Sequence, residues 1–263
     1  MNQSRLELVY VKLGGSLITV KSKPVTVKSE ALDTVVKALR RVYGRVGLVL
    51  GNGGGSFAHY AVRRYCNGDP AICISKCHQS TRLLNRLIVD YLVSSGIPAS
   101  SVQTSAFITV KPGGGFQVFY EPVASLLSLN VIPVVYGECL PSDEGPVVIS
   151  TEEVFGLLAE VLKPSRIVLL TDVKGIYTCN PSKCSNPELV RRIDKSNLSL
   201  ILDNLREEAK ADVTGSIYGK IESMSRLSSK LGVRVIMTSG FNADEVVSAI
   251  LKGEVGEGTV IEV

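Results

Sequence analysis

The chain has 263 residues, 45% hydrophobic and 21% charged, which is enough apolar material for one large α/β domain or two small ones and argues against disorder. Tryptophan is absent, aromatic residues make up 6%, and the net charge of +4 is not concentrated in a tract, so no nucleic-acid platform is expected. The N-terminus lacks a signal-peptide pattern and no run of about 18 apolar residues occurs, so we expect a cytoplasmic protein without a membrane helix.

Apolar runs typical of strands alternate along the chain with amphipathic patterns typical of helices. The strand patterns lie within residues 6–13, 46–56, 107–119 (as a hairpin), 130–138, 165–175, 233–240 and 258–263. The helical patterns lie within residues 31–44, 57–65, 81–96, 151–164, 197–210, 216–232 and 243–253. This alternation predicts an α/β fold, a three-layer αβα sandwich with a mostly parallel, open central sheet. No linker or repeat divides residues 1–263, so we predict a single domain.

The first strand runs into the sequence Lys12-Leu13-Gly14-Gly15-Ser16. In α/β sheets, ligands bind beyond the carboxyl ends of the strands. Two glycines at such a point let the backbone approach a ligand and expose N–H groups to an anion, and the Lys12 ammonium can reach the same phosphate. The alternative is a tight turn between strand and helix, with Lys12 in solvent.

The second strand runs into a triple-glycine loop, GNGGGS at residues 51–56, followed by a helical pattern that begins FAH. Successive glycines before a helix cost chain entropy and suit a backbone that wraps an anion at a helix N-terminus. His59, in the first turn of that helix, can add a donor to a bound phosphate; the alternative is a structural histidine. The loop lacks the Gly-Lys-Ser/Thr ending of a Walker A motif, and no Rossmann fingerprint follows the first strand.

Three further segments carry polar groups near glycines or helix starts. In DVTGSIYGK at residues 212–220, two glycines and a lysine suit a flexible phosphate-contacting loop, and the alternative is that Asp212 or Thr214 caps the next helix. Ser150 and Glu153 have the spacing of a capping box, which needs no ligand. Asp172 follows a predicted strand and is expected at the same edge of the sheet as the glycine loops.

The cysteines are scattered through the chain rather than packed as in a small disulfide-rich protein. They are Cys66, Cys73, Cys77, Cys139, Cys179 and Cys184. We expect free thiols, with a Cys179–Cys184 bridge as the alternative that hyperthermophile proteins would allow. The spacing of Cys73, Cys77 and His78 is not that of a zinc site, so no metal ligands are assigned and His78 is expected at the surface.

Together these segments resemble the amino acid kinase superfamily and, within it, the isopentenyl phosphate kinases of archaea. The resemblance spans nearly the whole chain and rests on KLGGSLIT at 12–19, GGGSFAH at 53–59, TDVKGIYTCNP at 171–181, DVTGSIYGK at 212–220 and GEGTVI at 256–261. In that branch, a histidine at the position of His59 marks a phosphate acceptor rather than a carboxylate. The resemblance implies transfer of phosphate from ATP, with Mg²⁺, to isopentenyl phosphate, by a homodimer.

The resemblance also implies roles for single residues. The catalytic set is Lys12, Lys220, His59 and Glu152. The nucleotide side is Lys12, Gly14, Gly15, Ser16, Gly54, Asp172, Tyr177, Gly215, Ser216 and Lys220. The acceptor side is Lys21, Gly53, Gly54, Ala58, His59 and Thr151. The amides expected to bind ATP phosphates are those of Gly14, Gly15 and Gly54, while Gly53, Ala58 and His59 are expected to hold the acceptor phosphate.

Three positions depart from the family pattern. The family usually has His at Asn52, Gly at Ala58 and, before the central helix, Asp at Glu152. That Asp organises the catalytic lysines, and Glu152 keeps the charge with one more methylene. Two other functions therefore stay open: a kinase for another phosphate or phosphonate acceptor, and a nucleotide-binding protein without activity. The resemblance further suggests an acceptor-binding half at about 1–165 and a nucleotide-binding half at about 166–263.

Overall fold

The computed structural model describes residues 6–20, 22–179, 184–209 and 217–263. The strands are β1 (Leu8–Leu13), β2 (Gly47–Asn52), β3 (Ala99–Ser101), β4 (Ile108–Val110), β5 (Phe116–Val118), β6 (Ile132–Tyr136), β7 (Glu138–Leu140), β8 (Val147–Ile149), β9 (Arg166–Thr171), β10 (Arg192–Ile193), β11 (Arg234–Ser239) and β12 (Gly258–Ile261). The helices are α1 (Gly15–Ile18), α2 (Ser29–Val42), α3 (Gly55–Tyr65), α4 (Pro70–Ser94), α5 (Thr104–Phe107), α6 (Glu121–Ser128), α7 (Thr151–Leu162), α8 (Leu198–Ala209), α9 (Ile217–Leu231) and α10 (Ala243–Lys252). Five residues with predicted roles, Lys21, Asp212, Thr214, Gly215 and Ser216, lie outside the described residues.

Within the described residues, eight strands form one open sheet in the order β10-β12-β11-β9-β1-β2-β6-β3. All neighbours in it are parallel except β11 and β12. The antiparallel pair β4–β5 is the predicted hairpin, and β7–β8 is a second, unpredicted one. Since β1 lies between β9 and β2, the loops after these three strands meet at one edge of the sheet.

Helices cover both faces of the sheet, as β1 illustrates. Val9, Val11 and Leu13 point to the face covered by α2 and α10, whereas Tyr10 points to the face covered by α7 and α9. The ring of Tyr10 packs 5.0 Å from the ring of Phe155 on α7. The predicted three-layer αβα sandwich with a mostly parallel sheet is confirmed. None of the described helices is long and apolar enough to cross a membrane.

The helix predicted within residues 81–96 begins much earlier in the structure, because α4 starts at Pro70. The carboxylate of Asp69 accepts the N–H of Ala71 at 2.8 Å and caps the helix, and Pro70 occupies its first turn. The extended N-terminal part of α4 carries Cys73 and Cys77. The capping box predicted at Ser150 and Glu153, at the start of α7, is present.

All six cysteines are paired, so the expectation of free thiols is wrong. The bridges are Cys66–Cys73, Cys77–Cys139 and Cys179–Cys184. The last pair is the alternative that the sequence left open. The other two could not be anticipated from spacing, because they depend on how α3, α4 and β7 pack against one another.

Candidate active site

Two glycine-rich loops lie against each other at the carboxyl ends of β1 and β2. A Cβ atom on Gly15 would lie 2.5 Å from the nitrogen of Gly55, and one on Gly53 would lie 2.7 Å from the nitrogen of Gly15. Gly55 also has a φ of +49°, a region that favours glycine. The glycines therefore allow the two loops to touch, in addition to any contact with a ligand.

Two of the amides expected to bind phosphate are already used within the protein. The N–H of Gly14 donates to the carbonyl of Leu170 on β9 at 2.8 Å, and the N–H of Gly53 donates to the carbonyl of Leu13 at 2.8 Å. A backbone nitrogen has one proton to donate. In this structure both amides are therefore engaged in tying the loops to the sheet. The assignment of Gly14 and Gly53 to phosphate binding stays a prediction.

The N-terminus of α3 keeps open amides. Among the described residues, the N–H groups of Gly54 and Gly55 have no hydrogen-bond acceptor, whereas the N–H of Ser56 donates to the Thr19 hydroxyl at 3.0 Å. Such a helix end attracts anions. The N–H of Ala58 instead donates to the carbonyl of Gly54 at 3.0 Å, as part of the helix. The assignment of Ala58 to the acceptor side stays a prediction. The methyl group of Ala58 occupies the space where a side chain at residue 54 would lie.

Ser16 and Asp172 link the first glycine loop to the turn after β9. The Ser16 hydroxyl donates to the Asp172 carboxylate at 2.6 Å. The ammonium group of Lys28 also donates to the Ser16 carbonyl, at 2.7 Å. Ser16 lines the cavity described below, whereas Asp172 does not. The geometry therefore makes Asp172 a residue that orients the first loop.

The centre of the site is an ion pair between Lys12, on β1, and Glu152, in the first turn of α7. Both side chains are largely buried, 9% and 10% exposed. Burial alone would raise the pKa of the Glu152 carboxyl. The charge and hydrogen bond of Lys12, a backbone hydrogen bond and the charge of Lys220 outweigh burial and lower this pKa below its ordinary value. Glu152 is therefore ionised and faces the positive charge of both predicted catalytic lysines.

Thr151, next to Glu152, was predicted on the acceptor side, and the structure shows that its hydroxyl also holds neighbouring backbone segments together. Its hydroxyl donates to the carbonyl of Asn52 at 2.7 Å and accepts the N–H of Gly137 at 3.0 Å. These bonds join the start of α7 to the second glycine loop and to the end of β6. The Asn52 side chain, where the family usually has His, is itself buried and accepts a hydrogen bond from Asn85 on α4 at 2.8 Å.

His59 lies one turn into α3 and faces the same space as the lysines. Its pKa is lowered, first by partial loss of hydration and then by the positive charges of Arg63 and Lys220. The free imidazole is therefore neutral at pH 7. A bound phosphate dianion would favour the protonated ring and offset these positive charges.

These groups line one cavity of about 660 Å³, within the usual range for small-ligand sites. Its polar and charged lining includes Lys12, Gly15, Ser16, Gly53, Gly54, Gly55, His59, Thr151, Glu152, Gly219 and Lys220. Its less polar lining includes Ala58, Val62, Cys77, Thr81, Val148 and Ile149. Gly14, Asp172 and Tyr177, placed on the nucleotide side by the sequence, do not line it.

A polar cluster around the buried Glu138, beside the cavity, was not predicted from the sequence. The carboxylate of Glu138, fully shielded from solvent, accepts Arg82 at 3.1 Å and the N–H of Ser105 at 2.9 Å. His78 bonds the Cys139 carbonyl through Nε2 at 2.7 Å and Arg82 through Nδ1 at 2.6 Å. Its expected surface position is therefore wrong. The charged residue Glu138, two positions after the end of the apolar strand β6, was the signal that could have revealed the cluster.

The sequence profile of the amino acid kinase family matches residues 7–239. The chain belongs to the amino acid kinase family, as the motifs predicted. Isopentenyl phosphate kinase of Thermoplasma acidophilum is 30% identical over 97% of this chain and 100% of that protein. The isopentenyl phosphate kinase of Methanocaldococcus jannaschii is 30% identical over 97% of this chain and 98% of its own length. A crystal structure of an isopentenyl phosphate kinase substrate complex matches with a TM-score of 0.77 at 26% identity, covering 97% of this chain and 100% of that one.

Proposed function

We propose that this protein transfers the terminal phosphoryl group of ATP to isopentenyl phosphate, giving ADP and isopentenyl diphosphate. The observation that carries this proposal is the convergence of Lys12 and Lys220 on Glu152, in a cavity that also contains His59 and the open N-terminus of α3. Ammonium groups and a helix N-terminus suit a transferring phosphoryl group. The likeness to isopentenyl phosphate kinases over nearly the full length directs the choice of acceptor.

Positioning and charge neutralisation are sufficient for this reaction. A phosphate monoester has a second pKa of about 6, so the attacking oxygen of the acceptor is already an oxyanion at neutral pH. No general base is needed, in keeping with the neutral His59 and the paired Glu152. Lys12 and Lys220 would offset the charge of the transferring group, and Glu152 would hold Lys12 in place.

The acceptor would lie between His59 and the less polar lining of the cavity. His59 and the amides of Gly54 and Gly55 would receive its phosphate. The apolar surfaces of Val62 and Ile149 would receive a short hydrocarbon tail, which gains about 0.8 kcal/mol for each buried methylene group.

Mg²⁺ fits this site as part of the nucleotide complex. The two carboxylates among the described cavity-lining residues are both engaged, Glu152 with Lys12 and Glu138 with Arg82. Mg²⁺ commonly keeps its waters and binds substrate phosphates. We therefore propose that the phosphates of ATP hold the ion, which would neutralise their charge.

We propose that residues up to about 165 bind the acceptor and that residues 166–263 bind the nucleotide, with the eight-stranded sheet continuous between them. We also propose a cytoplasmic homodimer of archaeal type, in keeping with the organisms of the relatives.

The test is a substrate panel with purified protein and MgATP. Isopentenyl phosphate, dimethylallyl phosphate, UMP and fosfomycin are compared by ADP release, and the products are identified by mass spectrometry. Isopentenyl phosphate is expected to have the highest kcat/KM. Faster turnover of UMP or fosfomycin would replace the acceptor while leaving the family membership intact. ATP binding without turnover on any acceptor would indicate a protein without kinase activity.

A further inference from the structure

Four cysteines lie in or next to α3, α4 and β7, and one of them, Cys77, lines the cavity. Cys66–Cys73 joins the end of α3 to the first turn of α4, and Cys77–Cys139 joins α4 to β7. Because Cys73 and Cys77 are four residues apart on a helix, both bridges leave the same face of α4. We call these two bridges the disulfide frame.

The elements joined by the frame carry one side of the cavity. His59 lies on α3, Thr81 on α4 and Glu138 on β7, and all three line the cavity together with Cys77 itself. The lysines are held differently, because Lys12 lies on β1 and Lys220 on α9, neither of which is part of the frame. The frame therefore acts on the side proposed for the acceptor.

We propose that the disulfide frame positions the acceptor wall, so that the acceptor KM depends on the two bridges while ATP affinity does not. The proposal rests on the proposed function, which places the acceptor beside His59. Without the bridges, α3 stays joined to α4 through the short loop at residues 66–69, and only non-covalent contacts hold β7 against α4. A displacement of about 1 Å in a reacting group can cost about 100-fold in rate. The cysteines are thus positioning residues that act through the elements they join.

The two bridges lie close enough for thiol–disulfide exchange between them, and the variants must be chosen accordingly. The Sγ atoms of Cys66, Cys73 and Cys139 lie within 4.8 Å of one another. A thiolate freed at Cys73 can attack Sγ of Cys139, forming a Cys73–Cys139 bond and releasing Cys77 as a thiolate that takes a proton from water. Single-cysteine variants would therefore exchange partners, and each bridge has to be removed as a pair.

The test compares paired variants. Cys77→Ser with Cys139→Ser removes one bridge and Cys66→Ser with Cys73→Ser removes the other. Ala at positions 77 and 139 controls for burying hydroxyl groups. The matched control is Cys179→Ser with Cys184→Ser, a bridge that does not line the cavity. Wild type is also assayed in dithiothreitol, which gives two electrons and two protons to each bridge and becomes a cyclic disulfide. The measurements are acceptor KM, kcat, the ATP dissociation constant and amide hydrogen exchange.

Both Cys77/Cys139 variants should raise the acceptor KM at least about threefold. The upper end of the expected effect is about 100-fold, the cost of displacing a reacting group by about 1 Å. ATP affinity should stay within about twofold, a difference below 0.5 kcal/mol. Protection of backbone amides from hydrogen exchange should fall in α3 and β7 and stay unchanged in β1. The Cys179/Cys184 control should have the acceptor KM of the wild type. An unchanged acceptor KM, or an equal loss of ATP affinity, would overturn the proposal. If oxidised wild type does not phosphorylate isopentenyl phosphate, the proposed function fails. Amide hydrogen exchange then still shows whether the disulfide frame fixes α3 and β7 at the cavity.

Discussion

The carboxylate of Glu152 forms an ion pair with the ammonium group of Lys12, although one lies at the start of α7 and the other at the end of β1. The charge of Lys220 also favours the ionised carboxylate. The longer side chain at residue 152 therefore reaches the lysine that the shorter family residue is expected to organise. This geometry supports an active kinase over a silent nucleotide-binding protein.

Replacing Glu152 with Asp should lower kcat. The change withdraws the carboxylate from Lys12 by about one carbon–carbon bond, and a displacement near 1 Å can cost about 100-fold in rate. Steady-state kinetics with saturating MgATP measure the effect. The matched control is Glu160→Asp on the same helix, whose exposed carboxylate pairs with Lys230. A large rise in kcat for Glu152→Asp would mean that the native site is degraded.

Removing His59 should weaken acceptor binding selectively. A hydrogen bond to a charged group contributes about 1.5–3 kcal/mol, so His59→Ala should raise the acceptor KM by roughly 10- to 100-fold while ATP affinity holds. His59→Gln keeps an N–H donor and should lose less. Collapse of ATP affinity instead would reverse the assignment of the two glycine loops.

His59 should titrate below its ordinary pKa of about 6.5 in the free protein, because of lost hydration and the charges of Arg63 and Lys220. Lys220→Ala should raise this pKa, since it removes one positive charge. NMR of the imidazole protons measures both values, and with only two histidines in the chain the signals are easily assigned. No change in the Lys220→Ala protein would place that lysine too far from the acceptor side.

Gly15→Ala should destabilise the fold and lower activity together. Its Cβ would lie 2.5 Å from the nitrogen of Gly55, and overpacking of this kind costs about 1–3 kcal/mol. Urea unfolding measures the loss. Gly68→Ala is the control, because nothing lies within 4 Å of its new Cβ, and it should change stability by less than about 0.5 kcal/mol. Equal stability of the two variants would show that the loops do not pack as described.

Loss of the Cys77–Cys139 bridge should destabilise the protein more than loss of Cys66–Cys73. The bridges span 62 and 7 residues, and a longer closed loop restricts the unfolded chain more. The chain-entropy estimate is about 4 kcal/mol for the long loop and about 2.5 kcal/mol for the short one. Urea unfolding of the two paired Ser variants provides the comparison, and the reverse order would show that local packing outweighs loop length.

Local patterns were enough to predict the fold. Alternating strand and helix signals predicted the parallel sheet, and the order of glycine-rich segments predicted the family. Both features depend on residues close together in the chain, where periodicity and turn chemistry act directly. The same holds for the capping box of Ser150 and Glu153.

The pairing of distant residues was decided only by the tertiary structure. The amides of Gly14 and Gly53 are taken by carbonyls of Leu170 and Leu13, and the sequence offered no sign of either bond. Likewise, the cluster at His78 and the disulfide frame exist because α4 begins at Pro70 and packs beside α3 and β7. Residue types and local spacing thus determined which groups could bind phosphate. Packing decided which of these groups are free to do so, because a donor used inside the protein has no proton left for a ligand.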